Sequence, residues 1–251
     1  MQIVLITALG VGLSTVVGAV IGFFFRKISH RFSDIVLAFA AGVMLAAAII
    51  GLILESLECG GKFALIITII GIFAGAAVIN VLDRCVPHIH RFIGDSPANE
   101  DDKTKLYKVI LFVCAIAIHN LPEGIAAGVG FGTGDVTQAL TIAGGIALQN
   151  IPEGMVIIGP MLAAGMSHSR TFVVAIITGI VEVVGTLLGF FAVSVSTAVL
   201  PFALAFAGGT MLYVISDEMI PETHSHGAER GATYSLLAGF CLMLVFDVLL
   251  G

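Results

Sequence analysis

Long charge-free apolar runs set the pattern of this chain. Three are uninterrupted, at 2–25, 35–54 and 63–82, and each can cross roughly 30 Å of hydrocarbon, which takes about 20 helical residues. A polar segment, 83–108, follows. Runs at 109–130 and 136–163 are apolar except for one polar motif apiece. After Arg170 come further runs at 171–193, 198–216 and 231–250. The pattern predicts an all-α polytopic membrane protein with eight transmembrane helices and both termini on one side.

Composition agrees. Of 251 residues, 58% are apolar and 11% charged, less than half the charged share of a soluble domain. That excludes a soluble fold and a disordered chain. Eleven scattered bases exclude a nucleic-acid partner. In the eight-span scheme Arg26, Lys27, Arg31, Arg84, Arg91, Lys103, Lys105, Lys108, Arg170 and Arg230 all fall on one face, and only Lys62 on the other. The positive-inside rule makes that face cytoplasmic and both termini extracytoplasmic, in a cell or inner membrane. Residues 1–25 lack the basic start of a signal peptide and read as a retained span. Cys59, Cys85, Cys114 and Cys241 form no CxxC pair, so neither a disulfide framework nor a thiolate metal site is indicated.

The chain also repeats itself. Thr15-Val16-Val17-Gly18 followed by Gly22-Phe23-Phe24 returns 167 residues later as Glu182-Val183-Val184-Gly185 and Gly189-Phe190-Phe191. At the same offset Phe39–Leu45 matches Phe206–Leu212. Five spans separate the copies, so they have opposite orientation, as in many secondary transporters. Spans 3 and 8 add almost nothing to the match. The expected organisation is a first three-helix repeat at 1–82, a cytoplasmic loop at 83–108, a central helix pair at 109–163 and a second, inverted repeat at 171–251.

The central pair carries the chemistry. One helix reads His119-Asn120-Leu121-Pro122-Glu123-Gly124, the other Gln149-Asn150-Ile151-Pro152-Glu153-Gly154. Within each motif the first residue and the Glu are i and i+4, and the Asn and Glu i and i+3, so all share one helix face. Each proline removes one intrahelical bond and is expected to bend its helix. Both motifs lie about 20 Å of helix from the turn that joins them, so they meet near mid-membrane, at the depth of Glu182. Three glutamates there, with no Lys or Arg, cost roughly 2.5–3.5 kcal/mol each if charged. Protonation, a water-filled cavity or bound cations would each account for them. Carboxylate, imidazole and amide ligands suit a borderline divalent metal such as zinc. His119, Asn120, Glu123, Gln149, Asn150, Glu153 and Glu182 exceed the four ligands of one tetrahedral zinc. Two ions bridged by Glu123 and Glu153 would use them more fully.

These paired HNxPEG and QNxPEG motifs, with Met211–Glu218 and Pro221-Glu222-Thr223-His224, resemble the ZIP (Zrt/Irt-like) family of divalent metal transporters, in its GufA-like branch. The resemblance spans essentially the whole chain. It implies eight helices, inverted three-helix repeats around a central pair, a homodimer, and zinc as transported ion rather than cofactor. It also implies a binuclear centre, with His119, Glu123, Gln149 and Glu153 at one ion and Asn120, Glu123, Asn150, Glu153 and Glu182 at its neighbour. Many relatives have His where Gln149 stands, and some have Asp where Asn150 stands. Amides bind zinc more weakly, so Cd2+, Fe2+ and Mn2+ are expected to compete.

Glu55, Glu58 and Asp247 lie at outer span ends and would gather cations at an entrance. Asp217, Glu218, Glu222 and His224 lie on the inner side as an exit relay. His88, His90 and Glu100-Asp101-Asp102 mark the 83–108 loop, which reads as a solvated linker. The function expected is uptake of divalent ions toward the cytoplasm by alternating access, with part of the bundle moving past the rest. The alternative is a proton- or sodium-coupled exchanger using the same carboxylates. No HExxH or nucleophile–base pair is present, so no enzyme is expected.

Overall fold

The structure, a computed structural model, describes residues 1–24, 29–85, 118–163 and 166–250. Most of the predicted 83–108 loop, with His88, His90 and the Glu100–Asp102 run, lies outside the described residues, as does 109–117 of the fourth predicted span. α1 spans Gln2–Phe24. α2, His30–Ala46, continues through a π-helical stretch, Ala47–Leu54, into α3, Glu55–Cys59. α4 spans Ala64–Cys85 and α5 residues 118–130. α6 is Val136–Val156, α7 Ile158–Ala163 and α8 His168–Val195. α9, Leu200–Val214, runs through a second π-helical stretch, Ile215–Met219, into α10, Ile220–Thr223, and α11 is Glu229–Leu250.

Six helical stretches among the described residues are long and apolar enough to cross a membrane: Gln2–Phe24, His30–Cys59, Gly61–Arg84, His168–Val195, Thr197–Thr223 and Glu229–Leu250. The chain is therefore a polytopic membrane protein, and its motif helices α5 and α6 are outside that set. Helix starts follow local chemistry. Ser29 and Ser167 accept from Phe32 N and Arg170 N, and Asp135 Oδ1 accepts from Thr137 N at 2.8 Å and Gln138 N at 3.1 Å, each satisfying orphan donors of a first turn. Gly134, at φ 82°, makes the left-handed turn ahead of Asp135. Pro152 does not end its helix. α6 continues to Val156 and the break comes at Ile157, because α1 packs on this stretch backbone to backbone.

The helices sort into two groups by where their backbones touch. In the first, a Cβ placed on Gly18 would lie 2.2 Å from Ile151 O, one on Gly154 2.2 Å from Thr15 O, and one on Gly124 2.3 Å from Glu182 O. Such approaches need glycine, and they fasten α1, α5, α6 and α8 together. The second group fastens α2 to α11 (Gly42 against Leu236 O, Gly239 against Phe39 O) and α4 to α9 (Gly75 against Phe206 O, Gly209 against Ile72 O). Between the groups the glycines meet side chains: Gly51 meets Ile142, Gly145 meets Met243 Sδ, and Gly132 meets Leu200.

Two ends are distinguishable. At one, Phe23 stacks on His168 and His30 on His226, with ring centroids 5.8 and 4.8 Å apart. At the other, Gln138 Nε2 donates to Glu55 Oε2 at 2.7 Å, and buried Ser56 Oγ bonds Thr68 Oγ1 and Pro201 O, both at 2.7 Å. Arg31, Arg170 and Arg230 stand near the histidine end, and Lys62 near the Glu55 end.

Candidate functional site

The two motifs meet inside the first helix group. Glu123, Gln149, Asn150 and Glu182 are each at most 1% exposed, and Asn120 is 5% exposed. Glu182, from α8, is the hub. Its Oε1 accepts from Thr15 Oγ1 at 2.6 Å and from Asn120 Nδ2, and its Oε2 accepts from Asn150 Nδ2 at 2.8 Å. Gln149 Nε2 donates to Glu123 Oε1 at 2.8 Å. A carboxylate only accepts, so each amide must turn its NH2 toward it. The amide oxygens then face elsewhere.

That orientation leaves a set of oxygens with no donor. Glu123 Oε2, Gln149 Oε1, Asn150 Oδ1 and Glu153 Oε1 are buried and have no hydrogen-bond partner. An unsatisfied buried polar atom costs about 1–3 kcal/mol, so four acceptors drawn from two motifs are an expensive grouping unless a cation meets them. The arrangement suits a cation-binding role with mixed carboxylate and amide donors. Among the described residues, no three His, Cys, Asp or Glu side chains stand close enough to hold an ion by themselves. The acids are apportioned instead: Glu182 to Thr15 and the asparagines, Glu123 to Gln149, and Glu218 to His119.

A cavity of about 220 Å³ leads away from the motifs, lined among others by Thr15, His119, Glu123, Glu153, Glu218 and Glu222. His119 Nε2 and Glu218 Oε1 are 2.9 Å apart and join the two helix groups. Of the four residues expected at an exit, Glu218 and Glu222 line this cavity. Asp217 is exposed and outside its lining. His224 Nδ1 lies 2.8 Å from Ile220 O and its Nε2 3.2 Å from Thr233 Oγ1, so it closes a helix end. Toward the Glu55 end the bundle is filled by Leu52, Ile142, Ile146, Leu204 and Met211, all at most 1% exposed. Glu55 is half-buried against Gln138, Glu58 is exposed, and Asp247 is half-buried near the end of α11.

Thr15 was not among the residues expected from the motifs. It lies on a helix with neither acid nor base, and its single sequence signal is that it stands 167 residues before Glu182, its own hydrogen-bond partner.

The ZIP Zinc transporter family model matches residues 94–247, which include both motifs and Glu182. The chain belongs to the ZIP family. This ZIP chain is 44% identical over 181 residues to a protein of Myxococcus xanthus named zinc transporter GufA, covering 72% of this chain and 70% of the relative. It is 38% identical over 250 residues to zinc transporter ZIPB of Bordetella bronchiseptica, covering 95% and 78%. Zinc transporter ZupT of Chlorobaculum parvum is 34% identical over 250 residues, with 93% and 92% covered. The GufA-like resemblance is thus borne out. ZIP proteins are membrane transporters with zinc as transported substrate, not enzymes with zinc as cofactor.

Proposed function

We propose that this protein carries divalent metal ions, zinc foremost, toward the cytoplasm through the site built by His119, Asn120, Glu123, Gln149, Asn150, Glu153 and Glu182. The observation that carries the reading is the set of four buried, unpartnered oxygens on Glu123, Gln149, Asn150 and Glu153. Electron-rich groups without donors lower their free energy most with a cation between them. The names of the relatives, all zinc transporters, support zinc as the ion. Two ions bridged by Glu123 and Glu153 remain part of the reading, as does the homodimer that the family resemblance implies.

The same reading has eight spans in inverted repeats. Its support is the reciprocity of the backbone contacts. A Cβ on Gly12 would lie 2.3 Å from Gly179 O, and one on Gly179 2.3 Å from Gly12 O, the two glycines being 167 residues apart. A two-fold relation between α1 and α8 produces such an exchange. Gly18 against Ile151 O pairs in the same way with Gly185 against Leu121 O. The first repeat is 1–82, the second 171–251, and the central pair 109–163. The bases near the histidine end support a cytoplasmic face there, with both termini on the other. Glu218 and Glu222 then serve the inner exit, and Glu55, Glu58 and Asp247 the outer entrance.

Transport proceeds by alternating access. The group α1, α5, α6 and α8 holds the ion and slides on the group α2, α4, α9 and α11, whose facing surface is aliphatic. Sliding must break the polar contacts His119–Glu218 and Gln138–Glu55, which join the two groups among the described residues. Uptake of Zn2+, Cd2+, Fe2+ and Mn2+ into vesicles tests the function. Wild type should carry zinc, and the joint change of Glu123→Ala and Glu153→Ala should abolish it. Undiminished metal uptake in that variant would favour the exchanger reading, for which the relatives offer nothing.

A further inference from the structure

We infer that Thr15 is a positioning residue of the ion site, acting through Glu182. The inference rests on the proposed transport function. Thr15 is 2% exposed, lines the same cavity as Asn120, Glu123 and Glu153, and donates its hydroxyl hydrogen to Glu182 Oε1 at 2.6 Å. Glu182 then accepts three hydrogen bonds, from Thr15, Asn120 and Asn150. Its carboxylate is anchored by donors, and its work is to hold the two asparagine amides. With Asn150 Nδ2 fixed on Glu182 Oε2, Asn150 Oδ1 is the end left without a partner. Thr15 therefore sets, through one carboxylate, where Asn150 Oδ1, an ion-facing oxygen of the second motif, stands.

The backbone of Thr15 is fixed as closely as its hydroxyl. Thr15 O lies where a Cβ on Gly154 would meet it at 2.2 Å, immediately after Glu153. The residue is thus clamped to one motif through its carbonyl and to the hub carboxylate through its side chain. A hydroxyl so placed holds Glu182 in one rotamer, and groups that orient metal ligands typically affect affinity or activity 10–100-fold.

Thr15→Val keeps the shape and removes the donor; Thr15→Ser keeps the donor and removes the methyl. The readouts are zinc uptake in vesicles, separated into KM and kcat, and equilibrium Cd2+ binding to the purified full-length protein. Thr15→Val should raise KM and the Cd2+ dissociation constant by about tenfold or more without a matching fall in kcat. Thr15→Ser should restore both to within about twofold of wild type, as expected when the hydroxyl and not the packing is responsible. Unchanged values in Thr15→Val would overturn the inference, and so would a Thr15→Ser variant as impaired as Thr15→Val. A wild-type protein that neither binds nor carries any of these ions would instead defeat the transport reading and this inference with it.

Discussion

One methyl group added at the α1–α8 crossing should disable the site from outside it. In Gly12→Ala the new Cβ would lie 2.3 Å from Gly179 O and 2.9 Å from Val183 Cγ2. A carbon rests about 3.3–3.6 Å from a carbonyl oxygen, so the helices must part by roughly 1 Å. One turn away, Thr15 Oγ1 and Glu182 Oε1 are 2.6 Å apart, and the same movement takes them to about 3.6 Å, beyond hydrogen-bond range. Overpacking costs typically 1–3 kcal/mol, and a hydrogen bond to a charged group is worth about 1.5–3 kcal/mol. The control is Gly10→Ala on the same helix, where nothing lies within 4 Å of the added methyl; it should be neutral or stabilise by about 0.5–1 kcal/mol. Gly179→Ala meets Gly12 O at the same 2.3 Å. Because either methyl alone opens the gap, the double variant should lose less than the two single losses together. Thermal melting in detergent and zinc uptake in vesicles measure both effects. A Gly12→Ala variant that melts and transports like Gly10→Ala, or two losses that are additive, would refute this coupling of the crossing to the site.

Gln149→His replaces an amide by a stronger zinc ligand; KM for zinc and kcat should fall together, because an ion held more tightly leaves more slowly, and kinetics in vesicles would expose an unchanged pair of constants. Cysteines at Gly51 and Ile142 test the sliding boundary, since the ideal Cβ of Gly51 lies 3.9 Å from Ile142 Cβ, within disulfide reach of about 3.5–4.5 Å. In a background freed of the native cysteines, oxidation should stop uptake and reductant restore it, while full uptake by the cross-linked protein would contradict rigid-body motion. Ser56→Ala strips partners from Thr68 Oγ1 and Pro201 O and should cost about 1–3 kcal/mol, read as a lower melting temperature with uptake per folded molecule unchanged.

The convergence of the motif side chains was legible because their spacing is local. His119, Asn120 and Glu123 lie within five residues of one another, and helical periodicity alone puts them on one face. Glu182 was legible as an unexplained acid in an apolar run. Thr15 was not, because a threonine in a membrane helix usually bonds its own backbone, as Thr178 does to Ala175 O and Thr210 to Ala207 O. Only the crossing of α1 and α8 reveals that this one reaches another helix. The π-helical stretches at Ala47–Leu54 and Ile215–Met219 left no apolar period to read. Offset by 167, the first falls at 214–221 and encloses the second.

The third helix of each proposed repeat escaped the sequence for a geometrical reason. Its register is shifted by three residues, so matching at 167 fails. Gly42 against Leu236 O corresponds to Gly209 against Ile72 O, and Gly239 against Phe39 O to Gly75 against Phe206 O. Both correspondences pair α4 with α11 at an offset of 164. Most side chains on these two helices face away from the core: α11 buries only Ala232, Gly239 and Met243. Lipid asks only that such positions be apolar and tolerates many sequences. Where backbones touch, glycine alone fits, so the spacing of contact glycines keeps a correspondence, in support of the proposed repeat, that the intervening residues conceal. By the same argument the division between the two helix groups is written in glycines: backbone meets backbone within each group, and side chain meets glycine at Gly51, Gly132 and Gly145, along the boundary where the proposed sliding would take place.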